Sequence, residues 1–470
     1  MTTEKLLYEL HSSRESDLLP LAAIQTETDK ERYSQKGYFV PITYPEWQEK
    51  FPSIDANKVF LLGGVNFGIS YYEKENLLFL NLLPLVLEQR PDKLEEVKET
   101  LADIIEKNRE QVKNKTADFR MLLSSYPDGI KINGLEQLLN IVGPGATFYN
   151  AFIDTYITSD FPTHRISKKL VEALAKSKLE NQKEETEKRL RERFGDTETF
   201  IGYRGMTEKS APADAGLSWS PNINVAYRFA SVFGQEHMVA QAEIKKEDII
   251  EYISPDMGPE EEFIVLPGKC HVQNILVLST PDSPDVLKYT NLVLPTYQTY
   301  RTKLKKLYEK YGVASNDHNA LHSLRVLLFA LLLAAQKGLI RAEYKQIAAA
   351  AIYHDIGRVN DATDKGHGLR SEEIYKKDGG SDNVIAFMIR NHCIDDETAK
   401  KELDGEFSST RRDKAWLLYS ILKDADALDR IRFGFAIVEG SDGLDVWYLR
   451  NDYAKKLVCF AYKAKGAITL

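Results

Sequence analysis

Cysteine is scarce in this chain, with Cys270, Cys393 and Cys459 the only three among 470 residues and no C-x-x-C pair. That gives no support to a disulfide framework or a cysteine zinc site, and a reducing compartment is the simpler reading. Long apolar runs are also missing. The two longest, Leu77 to Leu87 (interrupted by Asn81 and Pro84) and Val326 to Ala335, reach about half the length a bilayer span needs, so no membrane span is expected. The first residues, MTTEKLLYELHSSRESD, lack a basic segment followed by an apolar one, so no cleavable signal peptide is expected. A basic excess is absent as well: 62 Lys plus Arg stand against 70 Asp plus Glu, a net charge of -8, which argues against general nucleic-acid binding. The expected location is cytoplasmic, with export by a route that needs no cleavable signal as the alternative.

What is present is core-forming material. Apolar residues make up 43% and charged residues 28% of the chain, a composition for packed domains rather than disorder. At roughly 150 residues per domain the length predicts about three. No internal repeat or low-complexity tract occurs, so the boundaries come from changes in pattern. Residues 1–140 mix a strand-like stretch, Val59 to Leu62 ending in Gly63-Gly64, with a helix from Asp92 to about Lys115, whose Leu94, Val97, Leu101 and Ile104-Ile105 recur at helical spacing. This block carries no chemical motif and reads as a scaffold or partner-binding domain.

From about 140 to 200 the pattern is helical and ends in the alternating-charge run NQKEETEKRLRERF, a solvated helix face by composition. Short strand-like segments follow: Phe200 to Tyr203, Met238 to Ala242, Ile249 to Ile253, Phe263 to Leu266 and Ile275 to Leu278. The cluster TPDSPD then reads as a linker, and from Thr299 to about Ile437 helical periodicity returns. The expected fold is a multidomain α+β protein with a mixed domain (1–140), an α+β domain (141–285) and an all-α domain (295–470).

The middle block holds three local signals in order: Tyr203-Arg204-Gly205 at a strand end, Gly216-Leu217-Ser218-Trp219-Ser220 opening a helix, and Glu260-Glu261-Glu262 entering a strand. Each alone has a structural explanation, as a surface arginine, a helix N-terminus or a solvated acidic triplet. In this order they resemble the mono-ADP-ribosyltransferases of the Arg-Ser-Glu class, over roughly 140 to 285. The resemblance implies a split β-sheet domain that binds NAD, with Arg204 on the pyrophosphate, Ser218 supported by Ser220 at the nicotinamide-side ribose, and Glu262 as the catalytic glutamate. It gives Glu260 the role of orienting the acceptor, which favours an arginine target. A fixed carboxylate beside the ribose stabilises the oxocarbenium charge that develops as the nicotinamide bond breaks, and a guanidinium fits phosphate with a planar fork that lysine lacks. Side chains alternate along a strand, so a strand starting early enough would put Glu260 and Glu262 on one face and Glu261 on the other. The sequence departs from many members in one extra residue between Glu262 and the following proline.

The last block concentrates histidine. Five of the nine histidines lie between 318 and 392: His318, His322, His354, His367 and His392. They are ordered as His322-Ser-Leu-Arg-Val, Tyr353-His354-Asp355-Ile-Gly-Arg358, His367-Gly, Asn391-His392 and Lys423-Asp424-Ala-Asp426-Ala-Leu-Asp429. This order resembles the HD superfamily of metal-dependent phosphohydrolases over roughly 300 to 440. The resemblance implies a first metal held by His322, His354, Asp355 and a late aspartate, Asp426 with Asp424 as the alternative, and places His367 and His392 where a second metal is bound. His318, one helical turn before His322, can face the same cleft. Imidazoles with carboxylates suit Fe, Mn, Co, Ni or Zn, as one ion or two. Arg358 and Lys423 are cations available to substrate phosphate, or else structural ion pairs.

The two resemblances together imply a bifunctional enzyme. Its hydrolase would cut a phosphoester or pyrophosphate, with the ADP-ribosyl adduct itself as one substrate. In chemistry this resembles the SidE-type effectors of intracellular bacteria, with the domain order reversed, and so implies a bacterial effector or toxin acting in a host cell on a protein acceptor such as ubiquitin or another host protein. The alternatives are two uncoupled activities, the HD domain acting on a nucleotide, or a binding protein with decayed sites.

Overall fold

In the computed structural model the described residues are 17–63, 68–158, 166–232, 234–312, 315–362, 364–438 and 440–468. Residues 1–16 of the stretch read for a signal segment, and Gly64, lie outside them. The chain divides into two compact units, one of Met1–Phe200, Asp214–Ser218 and Ile244–His271, the other of Ile201–Ala213, Trp219–Glu243 and Val272–Leu470. These units cut across the three blocks of the sequence pattern.

The first unit opens on a four-stranded antiparallel sheet, Leu19–Pro20, Val59–Leu62, Gly68–Glu73 and Leu78–Asn81, in sequential order. Its strand Gly68–Glu73 is buried throughout because it separates two cores. Ile69 and Tyr71 join Trp47, Leu61 and Leu78 on one side, while Tyr72 joins Leu62, Leu77 and Phe79 on the other, as the two-residue alternation of a strand requires. The helix expected from Asp92 spans Pro91–Lys113 and lays Leu94, Val97, Leu101 and Ile105 on the first of these cores. Buried Glu73 at the end of its strand is neutralised by Lys58 and by Arg109, whose Nε lies 3.0 Å from it.

Helices Lys131–Val142, Ala146–Ile157, Lys168–Ser177 and Glu180–Phe194 complete this unit's helical part. The last of these contains the charge run, and it is not simply a solvated face. Arg189 Nη2 reaches the buried carboxylate of Glu251 at 2.7 Å and Thr186 donates to it at 2.6 Å. Strand Ile249–Ile253, which carries Glu251, pairs antiparallel with Glu262–Val265 in a three-stranded sheet completed by Ser218–Trp219.

The second unit carries most of another three-stranded sheet, with Met238–Lys245 between His271–Val277 and Thr199–Met206. Within the segment Gly216 to Ser220 expected to open a helix, Ser218–Trp219 form a short strand instead, and the helix begins at Ile223. The TPDSPD cluster is largely a helix start: Pro284 is the first residue of helix Pro284–Tyr311, where its missing N–H goes unneeded. The rest is helical, with Ala320–Gln336, Arg341–Tyr353, His367–Lys377, Asn383–Asn391 and Ser409–Asp429 packed around a core that includes Leu324, Phe329, Phe387, Leu418 and Leu428. Among the described residues no helix is long and apolar enough to cross a membrane.

Candidate metal centre and the Ser218–Glu262 pair

Five helices deliver side chains to one buried point in the second unit. Asn319 caps the helix Ala320–Gln336, its Oδ1 accepting from the N–H of Leu321 and His322, which sets His322 in the first turn. His354 and Asp355 leave the C-terminal end of Arg341–Tyr353, His367 opens its helix, His392 follows Asn391, and Asp426 lies near the end of Ser409–Asp429. The turn after Asp355 is pulled against the His367 helix at Gly357, whose N–H donates to Ser371 Oγ at 2.9 Å. A Cβ at Gly357 would come within 2.6 Å of the Ser371 backbone nitrogen, so only glycine permits this approach.

Two groups of ligand atoms result. His322 Nε2 lies 3.0 Å from His354 Nε2, 3.2 Å from Asp355 Oδ2 and 3.3 Å from Asp426 Oδ1. His367 Nε2 lies 2.8 Å from His392 Nε2 and 3.0 Å from Asp355 Oδ1, which is 3.2 Å from His392 Nε2. Asp355 therefore turns one carboxylate oxygen to each group.

The remaining ring nitrogens show what these atoms are for. The Nδ1 of His354 meets the carbonyl of Ala351 at 2.8 Å, that of His392 meets the carbonyl of Ile389 at 2.7 Å, and that of His367 meets the carbonyl of Asp364. A carbonyl only accepts, so each Nδ1 carries the proton and each Nε2 presents a lone pair. His322 Nδ1 is held at 2.7 Å by the Asp429 carboxylate in the same way. Lone pairs aimed at one another across such distances repel unless a cation lies between them. Ligands about 2.0–2.2 Å from a single ion stand roughly 3–3.5 Å apart in tetrahedral or octahedral geometry, which is the spacing found here. The donor set thus fits a divalent cation at the His322 group and another at the His367 group, with each imidazole oriented from behind.

In the absence of a cation the electrostatics separate His322, whose Nε2 holds a proton between the carboxylates, from His354, whose Nε2 does not. Burial alone would lower the pKa of His322, but hydrogen bonds to Asp355, Asp426 and Asp429 push it up to about 10. Burial dominates at His354 and brings it down to about 4. Asp355 and Asp426 are held well below the ordinary carboxylate range, because the surrounding imidazoles outweigh the effect of burial.

Asp424 does not join this group. Its carboxylate accepts the backbone N–H of Arg450 at 2.9 Å and that of Asn451 at 2.7 Å, fastening the C-terminal segment. His318 precedes the helix rather than lying within it, and its ring stands edge-on to His322 at 5.3 Å. Arg358 donates to Asp355 Oδ1 at 3.4 Å beside the centre. Lys423 gives two hydrogen bonds of 2.8 Å to the carbonyls of His392 and Ile394, so it supports the backbone around His392.

Residues outside the sequence expectation also matter. Asp429, three residues after Asp426 and hence on the same helix face, accepts from His322, from Arg325 Nη2 at 3.0 Å and from Arg432 at 3.1 Å. Its spacing was visible in the DADALD run, but its partners are more than a hundred residues away at His322 and Arg325. Cys393 Sγ falls within 4.8 Å of ligand atoms of His367 and His392.

Residues 320–431 match the family model of the HD domain. No curated protein and no solved structure matches the chain. The HD match covers every residue of the two ligand groups. It supports a metal-dependent hydrolase that uses a divalent cation.

The middle-block signals are only partly brought together. Glu262 Oε2 accepts from Ser218 Oγ at 3.0 Å and from Tyr156 OH at 2.5 Å, all within the first unit. Arg204 is buried on the strand Thr199–Met206 and belongs to the second unit. Ser220 pairs through its backbone with Tyr203 at 2.7 and 2.8 Å, and its Oγ accepts from the N–H of Asn222. Gly205 is required where it is, since a Cβ there would lie 2.2 Å from the carbonyl oxygen of Ala226. The alternation expected across the acidic triplet is not realised. The strand begins only at Glu262, Glu260 lies in the preceding turn, and Glu261 has a left-handed φ of +44° that interrupts the strand pattern between them. Glu261 is buried against Arg193 and Tyr252, with Nε and OH at 2.8 and 2.6 Å.

Proposed function

We propose that the HD-matching segment hydrolyses a phosphoester or phosphoanhydride with two divalent cations, one held by His322, His354, Asp355 and Asp426 and the other by Asp355, His367 and His392. The observation that carries this reading is the convergence of four imidazole Nε2 atoms on the two oxygens of a single buried aspartate. When bound, such cations supply Lewis acidity that lowers the pKa of water and offsets phosphoryl charge. The chain's own contribution is orientation. Asp429 and the carbonyls of Ala351, Asp364 and Ile389 fix the imidazoles, and the packed helices exclude bulk water from the histidine side of the centre. Arg358 stands beside Asp355 as a cation for substrate phosphate. The test is metal analysis of the purified protein, followed by assay of a generic phosphodiester with Mn, Fe, Co, Ni and Zn. Turnover that needs metal and is lost in His367→Ala and His354→Ala supports the reading. Hydrolysis unchanged by chelation and by both variants rejects it.

A second reading is favoured by the Ser218–Glu262 hydrogen bond: the middle block binds NAD and transfers ADP-ribose to a protein side chain. Ser218 and Glu262, on adjacent strands of one sheet in the first unit, support it. Release of nicotinamide from NAD, lost in Glu262→Gln, is the test. If both activities exist, an adduct shorter by the adenosine monophosphate portion in wild type than in Asp355→Ala would show that they act in sequence.

A further inference from the structure

We propose that Cys393 is an additional, sulfur ligand of the second cation site, making that site selective for a thiophilic metal. The inference rests on the proposed metal centre and adds to it a donor of a different kind. Cys393 directly follows His392, and its Sγ lies within 4.8 Å of ligand atoms of both His367 and His392. A single ion about 2.3 Å from sulfur and about 2.1 Å from nitrogen sets them roughly 3.6 Å apart at a tetrahedral angle, so an inward movement of the thiol of up to about 1.2 Å closes the site.

The space for that thiol is built in. The helix starting at His367 approaches the end of the Asn383–Asn391 helix so closely that a Cβ on Gly368 would come 2.3 Å from the Arg390 carbonyl oxygen and 3.0 Å from Cys393 Sγ. Glycine at 368 therefore leaves the sulfur its place beside the two imidazoles. The thiol now donates to carbonyls, with Lys365 O at 3.4 Å and Arg390 O at 3.9 Å. These are long contacts that metal coordination can replace, the thiol proton passing to solvent as the metal–sulfur bond forms. The other two cysteines, Cys270 and Cys459, are buried elsewhere, in no such group among the described residues. The two sites then differ in character. The His322 group offers only nitrogen and oxygen, whereas the His367 group adds sulfur, which favours zinc, cobalt or iron over manganese or magnesium.

The test uses the full-length protein stripped of metal and reloaded with cobalt(II). Wild type is expected to show a thiolate-to-cobalt charge-transfer band in the near ultraviolet, and Cys393→Ser to lose that band while keeping visible cobalt transitions from the nitrogen and oxygen donors. Zinc affinity of the second site is expected to fall about tenfold or more in Cys393→Ser, with manganese affinity changed less than about threefold. Zinc should also protect Cys393 from alkylation, read by peptide mass mapping. Normal cobalt binding with no charge-transfer band in wild type, or a band that survives in Cys393→Ser, overturns the Cys393 assignment alone. Absence of cobalt binding in wild type overturns the metal centre and the assignment with it.

Discussion

The histidine cluster and the Ser218–Glu262 pair both arise from short motifs scattered over long stretches of chain, yet they end in different states. In the cluster, five helices of one unit bring six candidate ligands together, five of them buried and Asp426 partly exposed, each imidazole carrying its own anchor. In the middle block, Ser218 and Glu262 meet on adjacent strands of the first unit, while Arg204 belongs to the second. The difference teaches that motif order is informative when one packed core holds all the members. A helix end buried in such a core restricts its side chain to a few rotamers, and one hydrogen bond from behind selects among them.

The largest expected effect separates the two regions outright. Asp355→Ala removes a carboxylate shared by both ligand groups, so phosphoester hydrolysis should fall on the order of a thousandfold or more and metal content should drop, measured by turnover and elemental analysis. Release of nicotinamide from NAD should be unaffected. Parallel loss of both activities would mean that the regions are not independent. Glu262→Gln is the reverse experiment, expected to lower nicotinamide release at least about a hundredfold while metal content and phosphoester hydrolysis stay at wild-type values.

Asp429→Asn tests the anchoring argument. It keeps the shape but removes the charge that faces His322, Arg325 and Arg432, and metal affinity of the His322 group should weaken about 10- to 100-fold. The variant also leaves guanidinium groups short of a buried counter-charge, so the second unit should lose roughly 3 kcal/mol of stability, read by denaturant unfolding. Affinity unchanged by Asn would show that backbone packing alone orients His322.

The smallest effect is a pH slope. With His322 at about 10 in the metal-free chain, both ring nitrogens are protonated at neutral pH, and the Nε2 proton must leave when metal binds. Metal affinity of that group should therefore rise about tenfold per pH unit between pH 6 and 8, whereas His354, at about 4, adds no slope in that range. The sign is opposite for stability of the metal-free protein. A histidine raised from 6.5 to about 10 stabilises the fold fully below pH 6.5, and that contribution disappears as pH rises through about 10.

Much of the local structure was legible. Strand Ile249–Ile253 and the helix Pro91–Lys113 follow from β-branched clustering and from a helical apolar stripe, both local properties. The acidic triplet was less legible because alternation assumes continuous strand geometry, and the left-handed backbone of Glu261 breaks it. Buried Glu251 illustrates another limit. Its partners Arg189 and Thr186 sit in a run of charges that composition alone assigns to solvent.

The sequence by itself determined the types and the order of the candidate ligands, because an adjacent His-Asp pair, spaced histidines and a DADALD helix are properties of a linear chain. Only the tertiary structure decided which atoms face inward. Asp424 and Asp426 are two residues apart, about 200° around a helix, so both cannot address the same point. Packing turned Asp426 towards His322 and gave Asp424 to the backbone of Arg450 and Asn451. The two oxygens of Asp355 and the proximity of Cys393 to His367 were likewise decided by helix contacts between residues distant in the chain, and such contacts leave no periodic trace in a sequence.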